Sequence, residues 1–144
     1  MQKLYVESML PVGPEVAWDV FESDAFRDRL AQHTGMSSEV LSDRDEGSVN
    51  IRTIKFTSGD ELPKLVQKAM GATHLSYEQT NRFDAGKSRL DWDVKIPSLG
   101  DRLTVTGITT IEPSGTGSRR VVDGTIEVRM RFVGGQIEKA VVSQ

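Results

Sequence analysis

Cysteine is absent from the 144-residue sequence, so disulfides, thiolate nucleophiles and cysteine metal ligands are excluded. Long apolar runs are missing too, since no stretch approaches the roughly 20 apolar residues of a membrane-spanning helix. The residues that follow Met1 lack the apolar segment of about 7–15 residues that marks a signal peptide. We therefore expect a cytoplasmic protein.

An excess of one charge is also lacking. The sequence has 18 basic and 21 acidic residues, a formal net charge of −3, and they are mixed along the chain without a basic block. This argues against a nucleic-acid partner and against binding to an anionic membrane by bulk charge. A transient membrane contact and the oligomeric state are left open.

Motifs for catalysis or cofactor binding are scarce. His33 and His74 lie in different predicted elements, and neither has a spaced carboxylate or second histidine, so no metal site is predicted. Neither G-x-G-x-x-G nor a P-loop occurs. Asp91 and Asp93 flank Trp92 and are expected to face solvent, away from it. We predict no catalytic residue and no cofactor.

What the sequence does contain is a regular pattern at its end. One strand face there is apolar from residue 126 to 132, Gly134 and Gly135 break the strand, and apolar residues then recur at helical spacing. The face of the strand consists of Ile126, Val128, Met130 and Phe132, and the helix stripe of Ile137, Ala140 and Val141. The length predicts one domain over residues 1–144.

The chain before this end predicts further elements of an α+β fold. A first strand carries Leu4 and Val6, and a helix pair kinked at Ser23 covers residues 14–34. Strands follow at residues 37–41 and 49–56, the second with a bulge or bend expected near Arg52-Thr53. Strands at 74–83, 89–96, 103–111 and 119–133 form a meander, so the sheet has about six or seven strands.

A short helix is predicted between the third and fourth strands, opened by Ser58 and Gly59. Its apolar face can act as a gate to a cavity, or it can simply pack on the surface. That face consists of Leu62, Leu65, Val66, Ala69 and Met70.

The order of these elements resembles the START-like superfamily, also called the helix-grip or Bet v 1-like fold. The run Gly134-Gly135-Gln136-Ile137-Glu138-Lys139 is particularly similar to a bacterial family of unknown function within it, and to the lipid-transfer domains of eukaryotic sterol carriers. The resemblance implies a curved antiparallel sheet wrapped on a C-terminal helix, with a hydrophobic small molecule held between them.

The terminal helix departs from this pattern. Residues 134–144 reach only about 16 Å as a helix, about half the roughly 30 Å of a strand over residues 125–133. We expect either that the natural chain continues past Gln144 or that the cavity is more open than in related proteins.

The resemblance places the candidate ligand site on the concave face of the sheet, where core and pocket wall coincide. A polar group at the base of the pocket, for instance Arg82 or Tyr77, is a candidate for binding a ligand head group. The predicted lining consists of Trp92, Val94, Ile96, Met70, Leu65, Ile126, Val128, Met130, Phe132 and Ile137.

Such a site is compatible with three alternative functions. The first is a non-catalytic carrier or sensor of a lipid, sterol or polyketide-like molecule. The second is a cyclase, aromatase or hydrolase that related folds also host, and the third is a protein-interaction module that uses the same groove. An enzyme needs polar side chains on the concave face. The inward faces from Leu90 to Ile96 and from Ile126 to Phe132 contain none, which favours the carrier.

Overall fold

The computed structural model describes residues 1–97 and 99–129. Within them it has an antiparallel sheet of seven strands and three α-helices, which confirms the predicted α+β class. The strands are β1 (Gln2–Leu10), β2 (Ser37–Glu46), β3 (Val49–Glu61), β4 (His74–Asp84), β5 (Arg89–Lys95), β6 (Leu103–Ser114) and β7 (Gly117–Val128). The helices are α1 (Pro14–Phe21), α2 (Asp24–Thr34) and α3 (Lys64–Met70). The predicted terminal helix lies outside the described residues, as does the end of the predicted last strand.

The sheet order is β1-β7-β6-β5-β4-β3-β2, so β1 and β2 form its two edges. Each strand from β2 to β7 pairs with its sequence neighbour, and β1 lies beside β7 with Leu4 opposite Gly124. The connection from β1 to β2 must therefore pass from one edge to the other. The helix pair makes this crossing, since α1 packs against β6 and β7 and α2 packs against β2.

The predicted kinked helix pair is confirmed. Pro14 occupies the first turn of α1, and Ala17 and Trp18 are its buried residues. The Ser23 side chain accepts a hydrogen bond from the Phe26 backbone N–H at 3.1 Å and so caps α2. Gly35 ends α2 in the left-handed conformation, with φ of 73°.

The bulge expected near Arg52-Thr53 occurs in the β2–β3 pair, opposite Thr53 and Ile54, but its extra residue belongs to β2. The β3–β4 register runs unbroken from Val49 to Thr57, and the nearest irregularity is in β2, where the pairing shifts between Val40 and Ser42. The apolar residues of β3 change face because an inward position is taken by Arg52, whose charge is paired with acidic neighbours. A paired arginine thus replaces an apolar residue without any break in the strand.

Two predicted boundaries near β3 are wrong. β2 continues through the predicted turn to Glu46, and the Asn50 side chain supports that end by donating hydrogen bonds to Asp43 at 2.7 Å and Asp45 at 2.9 Å. β3 continues through Gly59, where a Cβ would come within 2.6 Å of the Gly35 carbonyl oxygen. The close approach of two backbones explains this glycine, which is therefore not a helix start.

The core is centred on Trp92 in β5. Its partner across the β5–β6 pair is Gly107, and the next residue along the same row, in β7, is Gly124. The indole occupies the space that side chains at these positions would need, because a Cβ on Gly124 would come within 2.7 Å of the ring. The indole N–H donates to the Thr109 hydroxyl at 3.1 Å. The two glycines thus make room for one large side chain on the inner face of the sheet.

We predict that Gly107→Ala lowers the free energy of unfolding by about 1–3 kcal/mol, because the new methyl group collides with the buried Trp92 ring. Urea denaturation measures this change. Gly13→Ala is the control, since nothing lies within 4 Å of a Cβ there and its expected cost, from a poorer N-cap of α1, is below about 1 kcal/mol. Equal unfolding midpoints for the two variants would contradict the proposed role of the glycine.

Candidate ligand-binding groove

The strand registers determine which side chains share the inner face of the sheet. One row across β4, β5, β6 and β7 consists of Gln79, Val94, Val105 and Ile126. The next row consists of Asn81, Trp92, Gly107 and Gly124, and the third of Phe83, Leu90, Thr109 and Val122. The side chains of these rows are therefore mostly apolar on β5 to β7, and two of the three polar ones, Gln79 and Asn81, lie on β4.

Two adjoining cavities lie on this inner face. The first lobe, of about 240 Å³, lies between the helix pair and strands β2 to β4. It is lined by Trp18, Phe21, Glu22, Phe26, Arg27, Leu30, Thr34, Met36, Ser38, Ile54, Phe56, Tyr77, Gln79, Asn81, Leu90, Thr109 and Arg120. The second lobe, of about 390 Å³, lies over β4 to β7. It is lined by Leu4, Tyr77, Gln79, Leu90, Trp92, Val94, Thr109, Arg120, Val122, Thr125 and Ile126.

The two lobes share five lining residues, so we treat them as one groove. The shared residues are Tyr77, Gln79, Leu90, Thr109 and Arg120. Four of these five are polar, which places the polar part of the groove at the junction of the lobes. Beyond the junction the wall of the second lobe is mainly apolar, whereas that of the first lobe also includes Glu22, Arg27 and Asn81.

The structure brings three of the predicted lining residues into the groove, namely Trp92, Val94 and Ile126. Ile96 is buried but borders a separate depression at the end of the sheet. Val128 is buried in the core. Met130, Phe132 and Ile137 lie outside the described residues.

The predicted gate helix has one face in the core and one in solvent. Leu62, Val66 and Met70 are buried, whereas Leu65 is 52% exposed. Helical spacing explains the difference within α3, because Val66 and Met70 lie four residues apart on one face and Leu65 lies off that face. Leu62 precedes the helix. Met70 is thus in the core and Leu65 is in solvent, and neither residue lines either lobe.

Of the two candidates for a polar group at the base of the pocket, Tyr77 lines both lobes and Arg82 does not line either. Arg82 lies on the outer face, where its guanidinium contacts the Asp93 carboxylate at 2.8 Å. Asp91 and Asp93 also lie on the outer face, the face away from the Trp92 side chain, as predicted. The Asp91 carboxylate pairs with the Arg89 guanidinium at 2.8 Å. Such exposed pairs contribute little to stability.

Tyr77 is held as a neutral hydrogen-bond donor. Its ring stacks on Phe56 with centroids 5.3 Å apart, and burial raises the pKa of its hydroxyl to about 12. The hydroxyl is therefore protonated at neutral pH. It can donate a hydrogen bond to an acceptor in the groove.

Sequence reasoning missed Arg120 as a groove residue. It lies on the inner face of β7, half-buried, with its guanidinium carbon 4.5 Å from the centre of the Phe21 ring. Its Nε is buried and has no hydrogen-bond partner among the residues that the structure describes. Burial lowers the pKa of the guanidinium, but an arginine in a protein remains charged. The shared inward face of Arg120, Val122 and Ile126 was the available signal.

A second missed element is a charge pair at the mouth of the first lobe. Arg52 lies on the inner face of β3, where its Nη1 lies 3.5 Å from the Glu22 carboxylate and donates to the Glu22 carbonyl oxygen at 3.1 Å. Its Nε contacts Asp43 at 3.1 Å. Burial raises the pKa of Glu22, and the nearby Arg52 partly opposes this shift. The pair connects the end of α1 to the β2–β3 hairpin.

The raised pKa of Glu22 gives a pH dependence of definite sign. A carboxyl group whose pKa is higher in the folded state binds its proton more tightly there, so its ionisation at higher pH costs stability. We predict that Glu22→Gln raises the melting temperature relative to wild type at pH 8, and that the difference shrinks as the pH falls through the raised pKa. Thermal unfolding at several pH values measures it.

Asp19→Asn provides the matched control, because Asp19 lies on the exposed side of the same helix. Its melting temperature should follow that of wild type across the pH range. A Glu22→Gln variant less stable than wild type at pH 8 would show that the attraction to Arg52 outweighs burial.

No group of three histidine or acidic side chains in the described ranges is arranged to hold a metal ion. The helices within residues 1–97 and 99–129 are too short or too polar to cross a bilayer.

Comparison with known proteins places the chain in a family. The family described as a protein of unknown function, DUF2505, matches residues 6–144. A relative, the uncharacterised protein Rv0481c of Mycobacterium tuberculosis, is 28% identical over 138 residues, which cover 90% of this chain and 79% of that protein.

Solved structures show the same fold at low sequence identity. TTHA0849 from Thermus thermophilus has a TM-score of 0.68 and 16% identity over 99% of this chain and 85% of its own. A START superfamily protein from Mycobacterium smegmatis has a TM-score of 0.61 and 13% identity over 98% and 87% of the two chains. The di-domain ARO/CYC protein BexL, from the BE-7585A biosynthetic pathway, has a TM-score of 0.61 and 11% identity over 99% of this chain and 42% of that chain.

The fold is therefore that of the START-like, Bet v 1-like superfamily, as the order of elements predicted. Within that class, the chain belongs to the DUF2505 family, whose match covers nearly its whole length.

Proposed function

We propose that this protein binds a hydrophobic small molecule in the groove and carries or senses it without changing it chemically. The observation that supports the proposal best is the pair of adjoining lobes on the inner face of the sheet. Their apolar walls include Leu90, Trp92, Val94 and Ile126. Ligand pockets in proteins typically have volumes of about 300–1,000 Å³, and the second lobe lies within that range.

The driving force for such binding is removal of apolar ligand surface from water, at about 25 cal/mol for each Å² buried. Selectivity then comes from the shape of the lobes and from the polar side chains at their junction. A lipid, sterol or polyketide-like molecule suits this division into apolar walls and a small polar centre. The expected location is the cytoplasm.

An enzyme is the second candidate, and one observation favours it. The inner face of the sheet is more polar than the sequence indicated, since Tyr77, Gln79 and Asn81 of β4 line the first lobe together with Arg120 of β7. General acid–base catalysis works best when the pKa of the acting group lies near the working pH. Among these groove residues, Tyr77 with a pKa of about 12 is a poor base, and an arginine does not lose its proton.

Glu22 is the residue on which an enzyme would depend. Its carboxyl lines the first lobe, and burial raises its pKa above the ordinary value of a glutamate. In a cyclase-like reaction it would donate or accept the proton. Its engagement with Arg52 explains it equally well as a structural residue, and for this reason we favour the carrier.

Native mass spectrometry of the protein from its own host tests the proposal. We predict a stoichiometric apolar adduct that is lost on denaturation and can be identified after organic extraction. A bound ligand that leaves chemically unchanged after incubation at 37 °C supports the carrier, whereas conversion to a product supports the enzyme. Bare protein in repeated preparations would contradict binding.

The two tryptophans, one lining each lobe, report where the ligand lies. Trp18 lines the first lobe and Trp92 the second. We predict that titration with the extracted ligand changes the fluorescence of Trp18→Phe, in which only Trp92 emits, and of Trp92→Phe, in which only Trp18 emits. A change confined to one variant would restrict the ligand to one lobe, and no change in either would contradict the proposed site.

A further inference from the structure

The junction of the two lobes contains a positive charge for which the described residues provide no counter-charge. Arg120 lines both lobes, and its buried Nε has no hydrogen-bond partner among those residues. The guanidinium lies over the ring of Phe21, whose face attracts the cation without neutralising it. A half-buried cation left in this way is costly unless something else pairs with it.

Other cations at this end of the groove have acidic partners, which makes Arg120 different. Arg27, which also lines the first lobe, pairs with Asp24. Arg52 is paired with Glu22 and Asp43. Glu22, the carboxylate that lines the same lobe as Arg120, is thus already engaged.

Neutral hydrogen-bond donors surround the same junction. Tyr77 and Thr109 have hydroxyl groups there, and Gln79 has an amide. The Thr109 oxygen already accepts a hydrogen bond from Trp92, so its own proton remains available for donation. A guanidinium with neutral donors beside it is an arrangement suited to a small oxyanion.

We infer that the ligand of the groove is an amphipathic organic acid, whose carboxylate pairs with the Arg120 guanidinium at the junction and whose apolar part lies along the lobes. This inference rests on the proposed function and adds the chemical class of the ligand. A carboxylate matches the planar fork of arginine and supplies one negative charge for one positive charge. A dianionic phosphate would leave one negative charge in excess in a groove that already contains the Glu22 carboxyl.

The test compares ligands that differ only in their head group. Unbranched fatty acids of eight to sixteen carbons and the alcohols of the same lengths are titrated at pH 7.5 into delipidated protein, with binding measured by calorimetry and tryptophan fluorescence. Loss of one charge-assisted hydrogen bond changes affinity by about tenfold or more. We expect the best acid to bind at least about tenfold tighter than its alcohol.

Variants of two adjacent arginines locate the effect. Arg120→Gln should reduce acid binding to the level of the alcohol, and Arg120→Lys, which retains the charge without the fork, should bind with intermediate affinity. Arg119→Gln is the matched control, because Arg119 is the next residue in β7 and contacts Glu7 at 2.7 Å on the outer face. It should bind the acid as wild type does.

Folding of the variants is checked separately. Arg120→Gln removes an unpaired charge, so the ligand-free variant should unfold at or above the temperature of wild type. Acid and alcohol binding with equal affinity in wild type would overturn the inference while supporting an apolar groove. Acid selectivity that persists in Arg120→Gln would also overturn it, and binding of no acid or alcohol of any length would overturn the inference together with the proposed function.

Discussion

The structure depends on the contact between the Trp92 ring and the two glycines beside it in the sheet. Gly107 and Gly124 lie side by side on β6 and β7, in the row that begins at Trp92, and the indole fills the space above both. On these three strands the row has one large side chain, that of Trp92, and two glycines without side chains. The indole ring alone therefore forms the middle of the inner face. The hydrogen bond from the indole to Thr109 then orients a hydroxyl at the junction of the lobes.

The helix pair depends on the same inner face. Trp18 of α1 donates a hydrogen bond to the Ser88 hydroxyl at 2.7 Å, and its ring lies 4.7 Å from that of Phe83. These contacts hold α1 across the sheet, and the Glu22–Arg52 pair holds its end against the β2–β3 hairpin. The first lobe is the space left between the helices and the strands after these contacts are made.

The polar groups of the inner face fall into two kinds. Some are satisfied within the protein: Asn81 accepts a hydrogen bond from Gln79 at 2.9 Å, and Glu22 pairs with Arg52. Arg120 differs, because its Nε lacks a partner in the described part of the chain. Buried polar groups are usually satisfied, so an exception next to two cavities points toward a function in binding.

Much of the fold could be predicted from local patterns. The strict alternation from Leu90 to Ile96 predicted β5 and its inward face, and Pro14 and Ser23 predicted the starts of α1 and α2. These signals depend only on residues that are close in sequence, because helix capping and the strand period are local properties. Tertiary packing therefore does not change them. The class of fold followed from the order of the elements.

The polar half of the groove could not be predicted in the same way. On β4 the inward positions include Tyr77, Gln79 and Asn81, so hydrophobicity does not distinguish the inner face from the outer. In β7, Arg120 shares its face with Val122 and Ile126, but Val121 on the other face is apolar too, so hydrophobicity alone does not assign the faces at this end of the strand. The pairing of Arg52 with Glu22 joins residues 30 positions apart, a contact that no local pattern indicates.

The most direct test of the account is a crystal structure of the protein purified from its own host without delipidation. We expect ligand density in the groove between the helix pair and strands β4 to β7, with a carboxylate within hydrogen-bonding distance of the Arg120 guanidinium. A groove filled by the protein's own side chains, with an acidic residue paired to Arg120, would contradict this expectation.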